Sequence, residues 1–205
     1  MIFRTFRSDQ RGATVLEFAL VLMPLLTMIM GTMEVGYQAY VRSVTLGALE
    51  TLARAVTLQG VNTTAGETEL RAQIRRVASG ATITVTRGSV NRFNSLDSME
   101  RLTQDLNGNG VLDGPVDTDG NGIPDKSDCW EDVDNNNARN TVTTGKDGIG
   151  GADDIVRYNV AVSYSRLLPI WDFIGIDPTA VVNVSTVVRR QPYEAQVNPP
   201  IKCKT

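Results

Sequence analysis

Histidine is absent from this 205-residue chain, and only two cysteines occur, Cys129 and Cys203. The first absence removes histidine metal sites, the usual catalytic triads and imidazole acid–base chemistry. The second leaves too few thiolates in one chain for a four-cysteine zinc or iron–sulfur centre. Positive charge is also scarce. Twenty Lys plus Arg stand against 23 Asp plus Glu, a formal charge of -3, which makes no electrostatic case for nucleic-acid binding. Hydrophobic residues make up 41% of the chain and are clustered. They suffice for one modest core, not for two full-size domains, and they exclude a wholly disordered chain.

The longest apolar run lies near the start. Residues 1–11 carry Arg4, Arg7 and Arg11 against Asp9, and about 21 mostly apolar residues follow, from Ala13 to Met33. As a helix that run rises roughly 30 Å, the thickness of a bilayer core. The preceding arginines place the N-terminus in the cytoplasm and everything after about Tyr37 outside. An uncleaved signal anchor and a cleaved secretory signal share these features. The order Gly12-Ala13-Thr14-Val15-Leu16-Glu17-Phe18 favours a third reading. A carboxylate such as Glu17 in lipid needs a partner. Cleavage after Gly12 supplies one, the new amine of Ala13, on the same chain or on a neighbour. It leaves residues 13–205 and shifts the formal charge to -5.

The pattern continues beyond the membrane. Val41, Val44, Ala48, Leu52 and Ala55 or Val56 recur at three-to-four spacing, one apolar stripe of a helix. Helix is expected from Ala13 to about Leu58, with Gly60 as the stop. Pro24 should kink the membrane half. Glu50 and Arg54 form an i,i+4 pair of favourable order. Tyr37 and Tyr40 fall where an interfacial aromatic belt belongs, and a simple anchoring role is expected of both.

Residues Arg11 to Leu22, followed by Pro24-Leu25-Leu26, resemble the start of prepilins, most closely TadE-like pseudopilins of tight-adherence (Flp-type) pilus systems. Gly31, Glu34 and Gly36 match a second pattern of that family, Gly-x-x-Glu-x-Gly. Thr186-Val187-Val188-Arg189-Arg190-Gln191-Pro192-Tyr193 is similar to its ending, with Arg190-Gln191 where Asn-Glu is more usual. The resemblance covers about residues 10–45 and 155–193. It implies a non-enzymatic minor pilin of the bacterial inner membrane, its head periplasmic or carried into an extracellular pilus. Gly12, Ala13 and Glu17 would then be read by a prepilin peptidase. Phe18, Pro24 and Glu34 would serve the membrane helix and its packing with other pilin subunits, on an inner-membrane assembly platform.

The head reads as a small α+β unit. Thr64-Ala65-Gly66-Glu67 fits a capping box, and Leu70, Ile74 and Val77 mark one face of a short helix ending near Ser79-Gly80. Ala81–Thr86 alternates as a strand, and residues 95–103 are expected to add a helical turn. Val156, Tyr158, Val160, Val162 and Tyr164 share one face of a strand over 154–166. Val182, Val184, Thr186 and Val188 share one face of another over 179–190. The apolar link between them, broken by Pro169 and Gly175, completes an antiparallel hairpin. Its Trp171, Phe173 and Ile176 are expected to cap the core, with membrane or neighbour contact as the alternative. A long helix covering a small antiparallel sheet is the α+β solution, and it is what the pilin resemblance implies.

Residues 105–154 hold twelve acidic and three basic residues. Their composition indicates loops; their spacing indicates a hard cation. Asp117, Asp119, Asn121, Asp125 and Asp128 stand at positions 1, 3, 5, 9 and 12 of a calcium-type loop, with the Ile123 carbonyl at 7 and Gly122 at the sharp turn. Asp105, Asn107, Asn109, Val111 and Asp113 repeat positions 1, 3, 5, 7 and 9. There Val116 stands at 12, and Asp117 could be shared. Asp132-Val133-Asp134-Asn135-Asn136 is a weaker echo. The chained loops resemble thrombospondin type 3 or dockerin-type calcium loops over roughly 105–136. Without a cation, so many carboxylates repel one another, and Ca2+ binding is expected to order the insert; a solvated acidic linker is the alternative. Cys129 and Cys203 are expected to form an intrachain disulfide if the compartment is oxidising. Free or intermolecular thiols are the other outcomes.

The expected organisation is therefore a leader at 1–12, a long helix at 13–60 with its membrane segment at 13–35, a head at 61–104 and 154–193, an acidic insert at 105–153 and a tail at 194–205. The rival reading is an uncleaved bitopic, membrane-anchored, calcium-dependent adhesion or structural protein. A metal-dependent hydrolase finds no nucleophile arrangement or base to support it.

Overall fold

The computed structural model describes residues 11–58, 62–168, 171 and 175–204. Residues 1–10 of the expected leader, the expected stop at Gly60, and Pro169 and Phe173 lie outside them. One helix, α1 (Arg11–Val56), dominates the molecule. Its 46 residues rise about 69 Å, and it passes through Pro24 as a single element. Its inner part shows large side chains on all sides: Val15, Phe18, Leu20, Val21, Met23 and Met28 are all more than 60% exposed. Its outer part buries the expected stripe except Val44, which is half-buried, and adds Leu49. Val41, Ala48, Leu49, Leu52 and Val56 are within the core, and Val56 rather than Ala55 points inward. Glu50 and Arg54 are exposed and form no ion pair among the described residues.

Helix α2 (Thr63–Val77) follows and buries Leu70 and Ile74 against α1. Its cap corrects the sequence reading. The N-cap is Asn62, whose Oδ1 accepts the Ala65 N–H at 3.1 Å. Glu67, expected to close a box with Thr64, pairs instead with Arg87 on the sheet. A capping box and an Asx cap compete for the same first-turn donors, and the residue preceding the helix wins here.

Nine strands follow among the described residues: β1 (Thr82–Val90), β2 (Ser98–Met99), β3 (Leu102–Gln104), β4 (Cys129–Glu131), β5 (Thr141–Val142), β6 (Lys146–Asp147), β7 (Ile155–Ser165), β8 (Thr179–Arg189) and β9 (Ile201–Cys203). The helical turn expected near 95–103 is a single 3-10 turn at Phe93–Ser95, ahead of β2. The main sheet has the order β6-β1-β7-β8 and is antiparallel throughout. The hairpin register runs from Ile155 opposite Arg189 to Ser165 opposite Thr179 without a shift. All five residues expected on the inner face of β7 are buried, as are Val182 and Val184 of β8. They meet α1 and α2 in one core centred on Leu49, Leu70, Ile74, Tyr158 and Val160. The fold is thus the expected one, a long N-terminal helix packed on a small antiparallel sheet.

The hairpin runs alongside the helix. At its open end the Gln191 N–H donates to the Thr57 carbonyl at 3.0 Å. At its tip the Leu167 N–H donates to the Glu34 carboxylate at 3.2 Å. Those helix residues are about 35 Å apart along the axis, and an eleven-residue strand spans about the same length.

The acidic stretch contributes β5 and β4 to two small sheets, β2-β5 and β3-β4-β9, and Val133 and Val142 to a second apolar cluster with Val90 and Ile155. Its strand β6 joins the main sheet at Gly88 and Ser89.

Candidate functional site

Two places carry unusual chemistry: the point where α1 meets the head, and the acidic loops. At the first, Glu34 is 2% exposed, unlike the helix residues around it. Its carboxylate accepts the Leu167 N–H and faces the Arg166 guanidinium at 3.6 Å. Arg166 in turn lies over the Trp171 ring, 5.4 Å from its centroid. A buried carboxylate costs several kcal/mol unless a cation and donors satisfy it; the hairpin tip supplies the cation and one donor, to Oε2, while Oε1 accepts no hydrogen bond among the described residues. Tyr37 belongs to the same junction. Its hydroxyl donates to the Val77 carbonyl at 3.0 Å and its ring meets Tyr164 edge-on at 5.5 Å. The simple anchoring role expected of Tyr37 is therefore corrected: it joins α1 to the end of α2 and to β7. Tyr40 is 56% exposed. Burial, with the Glu34 charge nearby, pushes the Tyr164 phenol up.

Nearer the N-terminus, Glu17 and Phe18 are exposed on the apolar part of α1, Gly12 and Ala13 lie in its first turn, and Pro24 stands within it. No cation pairs with Glu17 among the described residues.

The acidic loops share one internal geometry. In the first, Asp105 accepts the N–H groups of Gly108 and Gly110 at 2.7 and 2.8 Å. Asn107 Oδ1 accepts from the Asn109 N–H, and Asn109 Oδ1 from the Val111 N–H. The second repeats this: Asp117 accepts from Gly120 and Gly122, Asp119 from Asn121, and Asn121 from Ile123. Gly110 and Gly122 hold positive φ values of 75° and 85°, a backbone that glycine adopts at no steric cost. In the third, Asp132 accepts from Asn136 and Asn137, Asp134 from Asn136, and Asn136 from Ala138. These N–H donors hold Asp105 and Asp117 below the usual carboxylate range, with Gly110 and Gly122 as the largest causes. Hydrogen bonds from the backbone and hydroxyl of Thr118 do the same for Asp125.

Asp128 departs from its expected place. It is 1% exposed, and its two oxygens accept from Leu106 and Asp113, both at 2.9 Å. It therefore closes the first loop, not the twelfth position of the second. Asp113 accepts from the side-chain amides of Asn107 and Asn109. The side chains of Val111 and Ile123 are exposed.

Among the described residues, a cluster of three carboxylates forms at the weakest motif. Asp132 and Asp134 meet Glu100, with ligand oxygens within 4.8 Å of one another. Glu100 was not singled out from sequence. It lies more than thirty residues upstream, next to the short strand β2, and no spacing pattern links it to the loop. It is 2% exposed and accepts the Val133 N–H at 2.6 Å. Burial pushes Glu100 and Asp134 up, and the nearby negative charges of Asp134 and Asp132, respectively, add to this. Such a cluster can chelate a metal ion; carboxylate oxygens suit a hard cation without selecting one.

A disulfide joins Cys129 to Cys203, which lie opposite one another in β4 and β9. It fixes the tail to the end of the second loop, the intrachain outcome. Ile176 is 40% exposed and Trp171 half-buried. The core-capping role expected of Ile176 is thus corrected, because it does not pack against the main core.

Taken together, these features define a membrane-associated chain of pilin-like α+β architecture. Helix α1 is long and apolar enough to cross a bilayer, and none of its most apolar 18-residue window is buried in the protein. Residues 12–54 match the family of TadE-like protein. That match covers α1 and does not extend to the C-terminal strands. No curated protein and no solved structure matches. No family match falls on 105–136, so the likeness to thrombospondin type 3 and dockerin loops gains no support from the comparisons. No nucleophile–base arrangement is found among the described residues.

Proposed function

We propose that the chain is a minor pilin or pseudopilin of a tight-adherence, type IV-like pilus machine. A prepilin peptidase cuts it after Gly12. Helix α1 then packs with other pilin subunits at the inner-membrane assembly platform, and the head lies in the periplasm or on the filament. The reading is supported above all by the family match over 12–54 on a helix that is bare in its apolar part and buried in its outer part. A helix of that kind needs lipid or other helices around its first half. Glu17, placed one turn in, neutralises the new Ala13 amine and sets the register between neighbours. N-terminal sequencing and intact mass of the native membrane protein test this. A first residue of Ala13 supports it, and an intact Met1 overturns it in favour of an uncleaved bitopic anchor.

The acidic loops are proposed to bind Ca2+ and so to stiffen the loop-rich part of the head. The three-fold repeat of the carboxylate–N–H geometry and the convergence of Glu100, Asp132 and Asp134 support this. Sites in the 10⁻⁴–10⁻³ M class suit an extracytoplasmic module. Calorimetric titration of the full chain should show heat at millimolar calcium that Glu100→Gln diminishes. Absence of heat, with unchanged protease resistance, overturns it.

A further inference from the structure

We propose that the Cys129–Cys203 disulfide is a redox clasp on the first acidic loop. Oxidised, it holds Asp128 and Lys204 against residues 105–113; reduced, it lets that loop open and give up its cation, a last part that rests on the calcium reading above. The neighbours of the two cysteines are the residues that close the loop. Asp128, next to Cys129, is 1% exposed, and its oxygens accept the N–H groups of Leu106 and Asp113, both at 2.9 Å. Lys204, next to Cys203, donates its N–H to the Asp128 carbonyl at 3.0 Å and its Nζ to the Leu112 carbonyl at 2.8 Å. The bond thus ties together two residues that grip one loop at its start and at its end. The second loop is closed without the tail: Val116 bridges to Lys126, and the Thr118 backbone and hydroxyl donate to Asp125.

Strand β9 depends on the bond. It has three residues, stands at the edge of its sheet with β4 as its one neighbour, and leaves Ile201 62% exposed. So short a strand buries too little to offset its own ordering. The root of the tail is held elsewhere, by Gln196, whose Nε2 donates to the Asn91 carbonyl at 2.7 Å and to the Asp154 carboxylate at 2.9 Å. Reduction therefore frees β9 and Lys204 but keeps Cys203 within reach of Cys129, and reoxidation closes the clasp again. The bond is also placed for exchange. Cys203 is exposed and Cys129 buried, and Lys202 and Lys204 bracket Cys203 with positive charge that draws a thiolate. The reductant is a dithiol, free or in a protein. Its thiolate attacks the Cys203 Sγ, and Cys129 leaves as a thiolate and takes up a proton. The second thiol then displaces Cys203 from the mixed disulfide, so that two electrons pass and the dithiol ends as a disulfide.

The full-length protein in detergent is compared oxidised, reduced with dithiothreitol and reoxidised, with alkylation to count free thiols. Amide hydrogen exchange is read at Leu106 and Asp113, at Gly120 and Gly122, and along β7. Reduction should speed exchange at Leu106 and Asp113 about tenfold, reversibly, and at the other sites about twofold or less. Unchanged rates at Leu106 and Asp113 in a chain with both thiols free overturn the clasp. Equal acceleration at every site overturns it too, since the bond then supports the whole head. Calorimetry addresses the cation. Reduction should remove the same part of the calcium heat that Asp105→Asn removes from the oxidised chain. Heat that survives reduction while Leu106 and Asp113 exchange freely overturns the cation part. Absence of heat in the oxidised chain overturns the calcium reading instead, and the exchange rates alone then decide the clasp.

Discussion

Between the helices and the main sheet, Leu49, Leu70, Tyr158, Val160 and Val162 are almost wholly buried, and β1, β7 and β8 pair without a shift. In the loops at 105–138, apolar residues such as Val111 and Ile123 face solvent, and the backbone folds around carboxylates that accept its N–H groups. The first region is held by apolar area removed from water, which is indifferent to redox state and nearly so to pH. The second is held by charge-assisted hydrogen bonds and one covalent tie. One head thus contains a part whose order is fixed and a part whose order is conditional.

The disulfide should show the contrast most strongly. Its two cysteines are 74 residues apart in sequence, and closing a loop of that size is worth about 4 kcal/mol in the chain-entropy account. Cys129→Ser with Cys203→Ser should release the tail and expose 105–138 to protease. The melting of the main sheet, followed by near-ultraviolet signals of its buried tyrosines, should move less. Equal loss in both regions would dissolve the distinction. A core substitution should do the reverse. Leu49→Ala removes a fully buried side chain from α1 and should cost about 3 kcal/mol. Hydrogen exchange should quicken across β7 and β8 while the loop amides that donate to Asp105 and Asp117 keep their rates.

The two regions also differ in how far the sequence disclosed them. Alternation in 154–166 and 179–190 marked the inner faces of β7 and β8 residue by residue, because a half-buried strand must alternate. The membrane span was legible from length alone. Tyr37 and Glu34 were legible only as features of a helix end; their partners Val77, Tyr164, Arg166 and Leu167 come from elements between 40 and 133 residues away, and no local period records such pairs. In the first two acidic loops, the carboxylates that begin each turn were readable from Asp-x-Asn/Asp-x-Asn-Gly spacing, and in the third from Asp-x-Asp-x-Asn alone. The partners that close them were not. Asp128 turned to the first loop and Glu100 to the third, since long-range closure is settled by packing of β2, β4 and β9. The cap of α2 was misread for a local reason, two overlapping sets of first-turn acceptors. Asn62→Ala should therefore cost about 1 kcal/mol of head stability, and Thr64→Ala much less, in thermal melts of the two variants. The opposite ranking would restore the capping box.

Acid should separate the regions with the smallest perturbation, and within the loops it should act in two directions. Asp105, Asp117 and Asp125 lie below their ordinary value of 3.8 in the folded chain. A carboxylate depressed on folding adds stability above its unfolded pKa and loses it as pH falls through the folded one. The first two loops should thus stay ordered from neutral pH to about pH 5 and loosen below the usual carboxylate range. Glu100 and Asp134 are raised, so their sign is opposite. Protonation relieves the third loop: their contribution is fully present below the unfolded pKa and is lost as pH rises through the folded one. A cation seated among Glu100, Asp132 and Asp134 must displace those protons. Calcium binding at that cluster should therefore weaken as pH falls, before the turns of the first two loops loosen, because Glu100 and Asp134 are raised while Asp105 and Asp117 are lowered. Amide exchange of Gly110 and Gly122 against that of Val133, followed across pH with and without calcium, measures both trends in one sample. Parallel behaviour of the three amides would mean that the loops share one electrostatic environment and that Glu100 confers no separate site.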